Sequence, residues 1–86
     1  MINQDTIINS FEEINLQDYA MPLICVYASP DDFKEMYVAR LFDLDKPTHY
    51  LLMRPSLESI RKEIPDQFNH IPRTPQDDPK IVETWV

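Results

Sequence analysis

The chain of 86 residues contains no glycine at all beside eight prolines, where average usage gives about six and about four in this length. A P-loop, a dinucleotide-binding turn and a nucleophile elbow all need glycine, because the backbone must reach positive φ or approach a phosphate with no Cβ in the way. None of them can be built from this sequence. Two-residue hairpin turns of the primed types also lose their preferred residue, so strands are expected to be joined by longer loops or by Asn and Asp in the left-handed region.

Basic residues are the second shortage. Residues 1–20 carry Asp5, Glu12, Glu13 and Asp18 and no Lys or Arg, while residues 21–64 hold seven acids and six bases and residues 65–86 four and two. The formal net charge is −7. A phosphate backbone is repelled by that average field, since nucleic-acid affinity rests largely on Lys and Arg releasing counterions, so direct nucleic-acid binding is not expected. Anionic membrane surfaces are disfavoured for the same reason, and no apolar run approaches the roughly 18 residues of a membrane span. Met1 to Asp5 lack the basic and apolar regions of a secretory signal. Cys25 is the lone cysteine and cannot form an internal disulfide. These features together predict a cytoplasmic protein with a reduced thiol.

Apolar periodicity places the elements. Ile7, Phe11 and Ile14 recur at i, i+4, i+7 between Asp5 and Leu16, which predicts a short amphipathic helix capped by Asp5 within an acidic N-terminal segment, 1–20. Leu23 to Tyr27 is a run of five apolar residues rich in β-branched and aromatic types, and predicts a strand. Met36 to Leu44 predicts a second strand, Asp45-Lys46-Pro47 a turn, and Thr48 to Arg54 a third strand forming an antiparallel hairpin with the second. Ser56 as N-cap, Glu58 in the first turn, Leu57, Ile60 and Ile64 on one face and Pro65 as the stop predict a helix over 56–64. Four prolines between 65 and 79 predict an ordered extended crossing anchored by Phe68 and Ile71, and Lys80 to Val86 a final strand. The expected architecture is one α+β domain, 1–86, in which a small, mostly antiparallel sheet of about four strands carries one or two helices.

Chemistry-bearing patterns are few. His49, His70 and Cys25 lie too far apart in the chain for metal-ligand spacing, so neither metal nor cofactor is expected. Cys25 reads as a small buried hydrophobe and His49 as a residue on the sheet surface. The acid pairs Glu12-Glu13, Asp31-Asp32, Asp43-x-Asp45 and Asp77-Asp78 read as solvation or turn chemistry, with Asp43 and Asp45 the most site-like because their i, i+2 spacing puts both on one side of a strand end. The second predicted strand is apolar on both faces: Tyr37, Ala39 and Leu41 on one, Val38, Phe42 and Leu44 on the other with Arg40 among them. One face packs on the helices. The other needs a cover, supplied by a second copy of the protein, by a partner, or by the N-terminal segment.

The order strand, Tyr37-Val38-Ala39-Arg40-Leu41-Phe42-Asp43-Leu44, strand, then Ser56-Leu57-Glu58-Ser59-Ile60-Arg61, resembles the HicB-type antitoxin domain over about residues 23–64. The family's glycines are absent here, and Phe42 stands where the family has proline. The resemblance implies a β-β-β-α-β partial ribonuclease-H-like fold and the role of an acidic partner that masks a small basic RNA-binding toxin. The functional expectation is therefore a non-catalytic acidic interaction or regulatory module, of bacterial or phage type, with Tyr37, Arg40, Phe42, Asp43, Asp45 and His49 as its candidate interaction residues. Two alternatives are a nucleic-acid-mimicking inhibitor, which needs its carboxylates arrayed on one face, and a small enzyme using Asp43 and Asp45.

Overall fold

The β-branched and aromatic runs become the long strands of a single sheet. The computed structural model describes residues 5–28, 34–74 and 79–86. In chain order the elements are β1 (Thr6–Ile7), β2 (Pro22–Ala28), β3 (Tyr37–Asp43), β4 (Lys46–Arg54), α1 (Leu57–Glu63), β5 (His70–Pro72) and β6 (Ile81–Trp85). Across the sheet they run β1-β4-β3-β2-β6-β5. Every pairing is antiparallel except that of β1 with β4. The mostly antiparallel α+β architecture is thus as expected, with two short strands added at the edges. Those additions protect the sheet: Asn69, just before β5, and Val86, just after β6, exchange backbone bonds of 2.6 and 3.0 Å. The antiparallel alternation then turns Pro72, which has no N–H to offer, toward the open edge.

Local chemistry explains α1. Ser56 accepts from the Ser59 amide at 3.2 Å while Ser59 Oγ accepts from the Ser56 amide at 3.3 Å, so two orphan donors are satisfied reciprocally. Ile64 is extended (ψ 126°), as a residue before proline is biased to be, and the helix stops there. Ile60 (0% exposed), Ile64 and Phe68 pack on Ile24, Val26, Ala39, Leu41 and Leu52, which all point from one face of the sheet. Burying side chains of this size stabilises by roughly 1.5–3 kcal/mol each.

Three expectations are corrected. Residues 5–16 do not form an amphipathic helix: β1 is followed by two 3-10 turns, Phe11–Glu13 and Leu16–Asp18. Glu13 Oε2 accepts from the Asn9 and Ser10 amides, and Asn15 Oδ1 accepts from the Gln17 amide, so each polar side chain starts a fresh turn and breaks the helical ladder. The buried residues are consequently Ile8 and Phe11, and Ile7 is 52% exposed. Ile71 likewise is 41% exposed, so Phe68 alone anchors the crossing, whose residues 75–78 lie outside the described ones. Finally, the β3–β4 turn is a two-residue one at Leu44–Asp45, with Asp43 paired to Lys46. Leu44 takes φ 58°. A positive φ at the first central residue alone is the pattern of a type II′ turn, where glycine is preferred.

Candidate functional site

The six residues singled out from the sequence do not converge. Tyr37 packs on the α1 face, whereas Arg40 and Phe42 point from the opposite one. Arg40 makes a bidentate pair with Asp5 at 3.0 and 3.1 Å and also donates to the Thr48 carbonyl at 3.0 Å. Asp43 accepts from the Met21 amide at 3.0 Å, tying the start of β2 to the end of β3, while Asp45 is exposed in the turn. His49 is exposed and stacks on Tyr50 with ring centroids 4.2 Å apart. Among the described residues no three His, Cys, Asp or Glu side chains are grouped to hold a metal ion, and no helix is long and apolar enough to cross a membrane. Cys25 is half-buried on the face away from α1, with Sγ 3.9 Å from Thr84 Oγ1.

The strongest polar constellation is one that sequence reasoning missed. Glu83 lies mid-strand in β6, opposite Val26, and its side chain is 1% exposed. Arg61 of α1 reaches over it, donating Nη2 to Oε1 at 2.6 Å and Nε to both oxygens at 3.2 Å. Trp85 Nε1 donates to Oε2 at 2.8 Å, and His70 Nε2 of β5 sits 3.1 Å from Oε1. Burial alone would push the Glu83 carboxyl up, but the hydrogen bonds from Arg61, Trp85 and His70 with the Arg61 charge outweigh it and hold the group below its ordinary range. The Arg61 guanidinium is pushed up in turn by its bond to Glu83. A carboxylate has about four lone-pair sites. These donors fill them, so Glu83 is a clamp joining α1, β5 and β6 and not a free base. The signal was the i, i+2 spacing of Glu83 and Trp85, which puts the acid on whichever face the indole takes.

A second feature is a surface groove where the 3-10 turns meet the end of α1. One depression of about 310 Å³ lies among Phe11, Ile14, Leu16 and Pro65, with Glu12 and Gln67 at its rim. A neighbouring one of about 350 Å³ shares Phe11, Glu12, Pro65 and Gln67 with it and continues to Asp66 and Lys62. Tyr19, which follows the second 3-10 turn, has its hydroxyl pKa raised by burial first and then by Tyr50, Asp18 and Asp43.

Comparison of the chain with protein-family models, with curated proteins and with solved structures finds no match in any of the three.

Proposed function

We propose that the protein is a small acidic interaction module that acts by binding a basic protein, without catalysis. The observation that carries this reading is the placement of charge: the baseless N-terminal segment packs beside α1 on the same side of the sheet, where the exposed Glu12 borders one depression with the exposed Asp66, and neither Glu12 nor the exposed Asp18 has a basic partner among the described residues. Complementary charge of this kind steers association and selects partners by sign. The resemblance of residues 23–64 to HicB-type antitoxins adds an antitoxin-like role. A cytoplasmic setting and the absence of direct nucleic-acid or membrane binding belong to the same reading. The enzyme alternative would rest on Asp43 and Asp45, of which Asp43 accepts from the Met21 amide. Capture with the tagged chain from its native host tests the proposal. A partner of pI above about 9, released as salt is raised, is expected; no partner, or a neutral one indifferent to salt, contradicts it.

A homodimer is a second reading, favoured by the face away from α1. The N-terminal Ile8 and Phe11 pack on the α1 side, so they do not cover this face. Leu23, Tyr27, Phe42 and Met53 on it are only half-buried, beside the buried Val38 and Leu51. The described residues place no second layer there.

A further inference from the structure

Resting on the interaction-module reading, we propose that the groove between the 3-10 turns and the end of α1 is the docking site, and that its occupant is a partner-protein segment presenting an apolar side chain flanked by Lys or Arg. The floor supplies the apolar half of this recognition. Ile14, Leu16 and Pro65 are half-buried and line the groove without being sealed by it, while Phe11 (2% exposed) backs them rigidly from the core. Small grooves of this kind take an anchor side chain, and affinity concentrates on such anchors.

The rim supplies the charge. Glu12 and Asp66 are both exposed, border the same depression, and make no ion pair among the described residues, whereas Lys62 there is paired with Glu58 at 3.7 Å and Glu63 with Arg54 at 3.2 Å. Glu12 borders both depressions and Asp66 the adjoining one, so two carboxylates lie beside the apolar floor and attract cationic residues next to the anchor. An acidic segment would be repelled by the same pair, and a purely apolar one would leave both acids facing low-dielectric surface. Gln17 and Gln67 complete the rim with groups that donate and accept toward an extended backbone.

The test uses the intact chain and a short synthetic peptide in which Leu-Phe is flanked by lysines, with oligolysine of equal charge as its control, followed by amide chemical shifts. Saturable shifts confined to residues 10–17 and 62–67, much weaker with oligolysine, are expected. Glu12→Lys should lose about fivefold or more in affinity for the peptide, and the double variant Glu12→Lys, Asp66→Lys about tenfold or more, whereas Glu35→Lys, with the same change in net charge as the first but outside the groove, should lose far less. Glu12, Asp66 and Glu35 make no side-chain hydrogen bond or ion pair among the described residues, so the variants are expected to fold. Shifts spread over the whole surface, no saturable binding, or equal losses in Glu12→Lys and Glu35→Lys would overturn the groove. If the native partner still binds the groove variant at full strength, the groove is wrong and the interaction-module reading survives. If the wild-type chain captures no basic partner, the reading itself fails.

Discussion

Arg61 is half exposed and Glu83 is buried, yet removing the exposed partner should cost more than changing the buried one. Arg61→Ala leaves a carboxylate of 1% exposure with only Trp85 and His70 to hold it. The expected loss is about 3 kcal/mol, the low end for a broken buried pair, because the shortened side chain also lets water reach the acid. Glu83→Gln keeps the shape and strands no charge, so about 1–2 kcal/mol is expected from urea unfolding. The pH dependence separates them further. The Glu83 carboxyl is depressed from its ordinary 4.5, so its stabilisation is fully present above that value and is lost as pH falls through the lower folded-state value. Glu83→Gln should abolish this acid-side loss, and an unchanged slope would show that the clamp is not what titrates. Leu44 offers the opposite kind of change. Its φ of 58° costs about 1–2 kcal/mol in a non-glycine residue, against about 0.5–1 kcal/mol of chain entropy for glycine. Leu44→Gly should therefore stabilise by roughly 0.5–1 kcal/mol, and a loss in the same unfolding experiment would mean that the exposed side chain makes contacts worth more than the strain.

Among elements, β6 is the one the fold can least spare. It lies between β2 and β5 and carries Glu83 and Trp85 onto the α1 face, so deletion of residues 80–86 removes a ladder on both sides together with the clamp. Loss of a cooperative melting transition is expected, and an unchanged Tm would refute the central placement. This strand, like β2, β3 and β4, is legible in the sequence because its β-branched and aromatic residues have no other use. The helix is legible because Ser56, Ile60, Ile64 and Pro65 agree on one answer. The N-terminal segment misleads for a physical reason: the Ile7, Phe11, Ile14 spacing imitates a helix, while Ser10 and Glu13, a capping pair three residues apart, and Asn15 reset the backbone twice. β1 and β5 carry two and three residues, too few for periodicity to show. Of the candidate site, the acidic character is legible and its assembly is not, because Glu12 comes to border one depression with Asp66, and Arg61 meets Glu83, only through tertiary packing.

The net charge of −7 is combined with two kinds of surface that no other described element covers, the acid-rimmed groove on the α1 side and the half-buried apolar face behind it. Self-association through the second is opposed by charge only over a Debye length, about 8 Å in physiological salt. Sedimentation equilibrium at micromolar concentration should give twice the chain mass of 10.2 kDa if that face pairs with itself, and the single mass if it does not. The proposed binding role rests on the field of the acidic side, since carboxylates that steer a basic partner lose their reach as salt screens them. The most direct measurement is the affinity of the purified partner for the intact chain, titrated from low to physiological salt. A Kd that weakens steeply with salt, through a slower association rate, is what an acidic interaction module requires; a Kd and association rate indifferent to salt would contradict it.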